Sequence, residues 1–291
     1  MRAKWLLLAL AAPAAGCGKT ETRPGTLLCG DAGECTWSHV SGTGGTGTTD
    51  GAVTTGDAAL ADGALTDGAT SVSVGGSLTV LAEVPGTVTT VRAPITGWTI
   101  AAVDDPSGAT TVTDSTGVFS LGGLTPVADP FGAAVVAVRA IAPAATSLGA
   151  YARIAANATA TELSTWTADR LLQSVSTGGG APSSDLGHVA VRVVLASDPG
   201  APVAGAIVTP SASATAFYDS DLTPGQLTPS GGGTGAKGFA LVLNVPAGDT
   251  GSGSTVSLSV QVAGATSVVP ATQTVRVFPN TVSWVWVRVV R

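Results

Sequence analysis

An all-β fold of two tandem β-sandwiches is what this sequence predicts, on three observations. Short segments rich in Val, Thr and Ile alternate with Gly, Pro, Asp and Asn, the pattern of strands closed by tight turns. One turn-and-strand pattern occurs in both halves of the chain. The 291 residues, less an export signal and a polar leader, leave room for two domains of about 100 residues each.

The first element is an export signal over residues 1–16. Arg2 and Lys4 form a basic head, Trp5 to Ala12 an apolar run too short to span a bilayer, and Ala14, Ala15 and Gly16 a small-residue cleavage region. Gly18, Lys19 and Thr20 end like a nucleotide-binding P-loop. Counting back, however, Pro13 stands where the first glycine must be, and Pro24 and Gly25 break the helix that should follow. With Cys17 directly after the small residues, the stretch resembles the lipobox of bacterial lipoproteins. That resemblance implies a lipidated Cys17 as mature N-terminus, and Gly18 beside it, rather than Asp, implies sorting to an outer membrane. The competing reading is an ordinary cleaved signal that leaves Cys17 as a free thiol.

Residues 17–40 form a leader. Three cysteines in an exported chain leave one over, and lipidation uses it. Cys29 and Cys35 then pair across the loop GDAGE, a closure worth about 2 kcal/mol. Their spacing, with no further ligand nearby except His39, excludes a paired-cysteine metal site. Residues 41–69 turn to Gly, Thr, Ala and Asp, with the triplet DGA at Asp50, Asp62 and Asp67. Such a run has too few large apolar side chains to offset its ordering entropy, so it reads as a flexible tether reaching on the order of 30 Å. The triplets lack the alternating acids of a calcium loop.

Two sandwiches follow, over residues 70–176 and 184–291. In the first, Pro94 and Gly97 precede WTIAAV, and TDSTGVFSL supplies Asp114, Gly117, Phe119 and Leu121. Asp114 can bond its own turn while Gly117 takes the left-handed conformation, so the hairpin delivers Phe119 and Leu121 to one face. In the second, Pro202 and Gly205 precede AIV, and TGAKGFALVL supplies Gly238, Phe239 and Leu241. This copy drops the Asp and one residue before its Phe, and inserts the polar loop FYDSDLTPGQLTPSGG. Between the copies, TELSTWTADRLLQSV fits a short helix or a closing strand. These residues resemble the carboxypeptidase regulatory-like family, transthyretin-type β-sandwiches, and bacterial immunoglobulin-like surface modules share the turn logic. The resemblance implies non-catalytic binding or spacer modules on an exported protein.

Composition bounds the partners. Charged residues are 11%, the net charge is −6 and the pI is near 4.7, with no basic patch to neutralise phosphates, so nucleic acid is excluded as a partner. Mean hydropathy is +0.41, yet the most apolar internal stretch carries Arg139 and Pro143 and reads as strands. Two histidines, His39 and His188, cannot build a His-rich metal site or a Ser-His-Asp set, and no GxSxG or HExxH motif occurs. Neither a cofactor nor catalysis is therefore expected. His188 alternates with Val189 and Val191, which places it on a solvent face at a strand edge. Asp104 and Asp105, before Pro106 and Gly108, read as turn residues. Asp219 and Asp221, in the inserted loop, make at most a weak surface calcium site.

The last strand, VSWVWVRVV, has two bulky faces. Val285, Val287 and Val289 lie on one, and Val282, Trp284, Trp286 and Arg288 on the other. Either the Trp pair packs against the first domain or a covering loop, or Trp284, Trp286 and Arg288 form an exposed ligand platform. The expected function is a lipid-anchored envelope protein whose sandwiches serve adhesion, binding or structural display. Its partners would be the membrane, envelope polysaccharide or another surface protein. The alternative is an accessory subunit of an envelope hydrolase, or a cryptic one.

Overall fold

The computed structural model describes residues 71–84, 92–129, 132–219, 225–229 and 232–291, together with the backbone of a short hairpin. In that hairpin β1 (Thr26–Cys29) pairs antiparallel with β2 (Cys35–Ser38), and Cys29 stands opposite Cys35. The export signal, Cys17 and the tether lie outside the described residues.

Copy one comprises β3 (Val72–Leu81), β4 (Arg92–Pro94), β5 (Thr99–Ala102), β6 (Thr110–Val112), β7 (Val118–Leu124), β8 (Val127–Ala128), β9 (Ala134–Ile141), β10 (Gly149–Ala155) and β11 (Thr161–Thr165). The helix α1 (Ala168–Ser176) follows. Copy two comprises β12 (Gly187–Leu195), β13 (Ala206–Pro210), β14 (Thr215–Asp219), β15 (Leu227–Thr228), β16 (Phe239–Val245), β17 (Ser254–Val262), β18 (Ser267–Val269), β19 (Thr272–Val277) and β20 (Thr281–Val290). The fold is all-β, and α1 is the one helix among the described residues. The stretch read as helix or strand is both: β11, then α1, whose N-cap Thr167 accepts the Arg170 amide at 3.2 Å.

The two copies share one sheet. Eleven strands run through the molecule, with the main path β15-β14-β16-β12-β20-β10-β9-β5-β6. The seam is β10 against β20, parallel, over Gly149↔Thr281, Ala150↔Val282 and Tyr151↔Ser283. Gly149 permits this approach, because a Cβ there would meet Ala140 O at 2.7 Å and Thr281 Oγ1 at 2.9 Å. The tandem sandwiches expected from the sequence are therefore joined edge to edge.

Each copy still closes a core, but on opposite faces of the shared sheet. In copy one, β3, β7 and β11 cover the face bearing Ile100, Val136, Val138, Ala150 and Ile154, with Leu78, Phe119 and Leu163 packed between the layers. In copy two, β13, β17 and β19 cover the face bearing Val189, Val191, Ala240, Val242, Val285 and Val287. Register decides the sides. Ala150 of the first core lies beside Val282, which belongs to a third cluster rather than to the second core.

That third cluster covers the outer face of copy two. Leu171 and Val175 of α1, together with Trp166, Leu81 and Val84, pack on Phe217, Phe239, Leu241, Leu243, Val282 and Trp284. Trp166 is fully buried, 5.1 Å from the Trp284 ring and 6.2 Å, edge to face, from Phe239. Buried aromatic rings remove roughly 150–250 Å² each from water, so at about 25 cal/mol/Å² each contributes several kcal/mol. Both indole N–H groups are satisfied, Trp166 donating to Glu83 O at 2.8 Å and Trp284 to Ser164 O at 2.7 Å. The boundary read between residues 176 and 184 thus follows a helix seated on copy two.

Candidate functional site

The residues singled out in the sequence are mostly committed to holding the fold. Asp219 is buried, and its carboxylate accepts the backbone amides of Gly235 at 2.8 Å, Lys237 at 2.8 Å and Phe239 at 3.0 Å. A carboxylate that accepts three backbone amides acts as a turn clamp, a role the expectation of a surface calcium ligand did not include. Asp221 lies outside the described residues. Asp105 accepts Ser107 N at 2.9 Å and Thr125 N at 2.7 Å, as turn chemistry requires. Its neighbour Asp104 instead reaches across to copy two, pairing with Arg276 at 2.6 Å.

His188 is corrected outright. It sits in β12, between β16 and β20, with no exposed surface. His188 and Val189 do face opposite ways, but the face His188 shares with Ala190 is covered too. Its Nδ1 accepts the Asn244 amide at 3.3 Å, and burial pushes its pKa down to about 4.

The Trp stripe divides. Trp284 is 8% exposed and belongs to the aromatic cluster, so the packing reading holds for it and no exposed platform forms. Trp286 and Arg288 are half-buried. Trp286 instead lines a cleft that the sequence did not announce.

After three paired residues β10 and β20 part, and the space between them is a cleft of about 120 Å³. Tyr151 and Arg153 line it from β10, Gln273 and Arg276 from β19, Trp286 from β20, and Asp129 from the turn before β9. Tyr151 is buried and hydrogen-bonded by the exposed Arg153. Burial raises its pKa, so the phenol keeps its proton near neutral pH. Arg276 spends one terminal nitrogen on Asp104, while its Nε is buried and makes no hydrogen bond within the protein. Gln273 Oε1 is likewise buried and unpaired. Both atoms lie without accessible surface in the wall of the cleft, two unsatisfied polar atoms where buried ones are normally paired.

Behind the seam Arg139, 8% exposed, lies 4.1 Å over the Phe278 ring and donates to Thr250 O. It clamps copy one to copy two and stands outside the cleft's lining. A wider groove of about 460 Å³ beside Gly180 and Asn244 has no comparable free polar pair, since Asn244 already bonds Ala181 O at 2.8 Å and Ser183 N at 3.0 Å. None of the cleft's polar residues was singled out in the sequence, because a cleft between parting strands exists only once a pairing across more than 100 residues has formed. Of its lining, Trp284, Val285 and Trp286 of the last strand were legible.

No family model and no curated protein matches the chain. Among solved structures, the Bacillus anthracis TIE protein is similar over 76% of this chain, at 13% identity and a TM-score of 0.25. This chain spans 34% of that one's length. A likeness this slight carries no argument about fold or function.

Proposed function

We propose that the protein is a cell-envelope module held to a bacterial outer membrane by lipid on Cys17, with its joined sandwiches serving as a rigid body for binding or structural display. The observation that carries this reading is the seam. Two copies fused by strand pairing and an aromatic cluster, following a polar tether, suit a body that presents a surface at a distance from its anchor. The commitment of Asp105, Asp219 and His188 to turns and core supports a structural rather than catalytic use of these side chains. The antiparallel register of Cys29 with Cys35 supports a disulfide at the leader hairpin, since facing residues in such a pair lie within the Cα spacing that a bridge requires.

Detergent partition tests the anchor. Acyl chains contribute about 0.8 kcal/mol per buried methylene, so the wild-type chain is expected in the detergent phase and Cys17→Ser in the aqueous phase. An aqueous wild type with an unmodified mature N-terminus would sink the proposal.

A further inference from the structure

The buried histidine of β12 holds more than its own strand. We propose that His188 is a proton-operated latch: its neutral ring secures a bulge in β16 and, through Asn244, the linker over residues 177–186, and protonation releases both while the two sandwiches stay folded. The inference goes beyond the reading of the molecule as an anchored display module and does not depend on it.

The argument starts from the register of β12 against β16. Gly187 pairs with Val245 and Val189 with Val242, so Leu243 and Asn244 together stand opposite His188. Such a bulge leaves an amide outside the strand ladder, and Asn244 makes it by taking the left-handed conformation, at φ 59°. His188 Nδ1 accepts that amide at 3.3 Å. From the same residue the side chain reaches the linker, with Oδ1 accepting Ser183 N at 3.0 Å and Nδ2 donating to Ala181 O at 2.8 Å. One imidazole lone pair thus fixes the backbone from which the linker hangs.

A second proton reverses that bond. An imidazole that accepts at Nδ1 carries its proton on Nε2, and His188 Nε2 is buried with no hydrogen-bond partner in the protein. Protonation turns Nδ1 into a donor facing the Asn244 N–H and leaves a cation out of water. The charged groups on the elements around the ring are Arg192 further along β12, Arg288 further along β20, Asp185 in the linker, Asp169 and Arg170 on α1, Glu83 beside Trp166, and Arg276 on β19 across the sheet, while β16 carries none. Burial is the one cause that lowers the pKa of His188, so no carboxylate among them offsets its charge. The strain is relieved where the structure yields most easily. Strand β12 is held by β20 from His188 to Leu195, whereas the linker residues are exposed or half-buried and give way first.

The test is hydrogen exchange on the full chain at pH 7 and pH 4.5, read at the Ser183 and Asn244 amides and at Val189 to Val193 of β12, as protection relative to the unstructured rate at each pH. For a ring that titrates at 6.5 when released and at about 4 when held, opening should become about 60-fold more frequent at pH 4.5. Protection at Ser183 and Asn244 should fall by that factor while β12 keeps its own. His188→Asn places an uncharged acceptor near the Nδ1 position and should abolish the acid response. Should that variant fail to fold, Asn244→Gly keeps the left-handed turn without the bonds to the linker, so Ser183 should be unprotected already at pH 7 while acid still frees the bulge amide. Equal protection of Ser183 and Asn244 at both pH values overturns the latch, as does a bulge amide indifferent to acid in Asn244→Gly. Loss of protection in β12 in step with the linker would mean general acid unfolding and overturns it too. An acid response that survives His188→Asn would belong to carboxylates such as Asp185, and His188 would be a packing residue only.

Discussion

The two copies solve the same hairpin with different residues. In copy one, Gly97 N donates to Thr113 O and Trp98 N to Thr113 Oγ1. In copy two, Gly205 N donates to Thr234 O and Ala206 N to Thr234 Oγ1. Gly117 and Gly238 both hold the left-handed conformation, at φ 78° and 59°, and both give their carbonyl to the preceding strand, Leu78 N and Val193 N respectively. The clamp differs in origin. Asp114 binds Thr116 N and Val118 N within its own turn, whereas Asp219 reaches the matching amides, Lys237 N and Phe239 N, from β14. Copy two does drop the turn's own aspartate, Gly235 standing where Asp114 stands, and Asp219 replaces it from outside, but no residue is lost. Its hairpin has the same length, and Gly238 matches Gly117.

Phe239 therefore matches the exposed Val118, not Phe119, and a one-residue offset sends a side chain to the opposite face. Phe119 fills copy one's own core, while Phe239, Leu241 and Leu243 fill the cluster shared with α1, leaving Ala240 and Val242 to the core of copy two. The lesson is that the same backbone device can serve a private core or a joint. The largest effect should come from breaking the joint. Trp166→Ala and Phe239→Ala should each cost about 3 to 5 kcal/mol, and hydrogen exchange should show both copies losing protection together. Phe119→Ala should cost as much but act first on copy one. If Trp166→Ala leaves copy one with wild-type protection, the two cores are energetically separate.

A buried histidine sharpens the same contrast, because copy two holds one in its central strand. The folded pKa of His188 lies near 4, below the ordinary 6.5, so the unfolded chain binds a proton that the native state refuses. Its contribution is fully present above pH 6.5 and is lost as pH falls toward 4, by roughly 3 kcal/mol over that window. Urea midpoints at pH 7 and pH 4.5 check this. His188→Gln should flatten the slope, and an unchanged slope would show that carboxylates, not His188, carry it.

How much of this was legible follows from which interactions are local. Strands of alternating or continuous β-branched residues, such as β9, β12, β16 and β20, stand out in the sequence because propensity and burial agree in them. Strand β10, GAYARIA, did not stand out, since Gly and Ala carry little β signal. Those small residues are nonetheless what lets β10 meet β20 and fuse the copies. The one-residue offset at Phe239 is masked in the sequence because each hairpin carries a Phe within two residues of its turn glycine. His188 was misplaced because alternation reveals which residues share a face, never whether a layer from elsewhere covers it. The Asp219 clamp and the cleft depend on partners 16 or more residues away, which no local pattern reports.

The two clamps give the next contrast. Asp219→Ala leaves backbone amides of a largely buried turn without their acceptor, so about 2 to 3 kcal/mol should be lost. Asp114 lies on an exposed turn, where water can replace the carboxylate, so Asp114→Ala should move the urea midpoint much less. Equal shifts in the two variants would mean that burial does not separate the hairpins.

The smallest effect belongs to the polar bridge between the copies, Asp104 with Arg276 at 2.6 Å. Asp104 is well exposed, and an ion pair with one partner in water contributes about 0.2 to 1 kcal/mol even at this distance, because water competes for the carboxylate. The residue also sits at φ 58°, a conformation that Asn tolerates nearly as well as Asp, so Asp104→Asn removes the charge without adding backbone strain. A loss below about 1 kcal/mol is expected, shrinking further as salt rises and screens the pair. The copies would then remain joined through Trp166, the β10–β20 seam and Arg139 over Phe278. A loss as large as that of Trp166→Ala, or one indifferent to salt, would mean that the seam depends on this ion pair and that the aromatic cluster is not what holds the copies together.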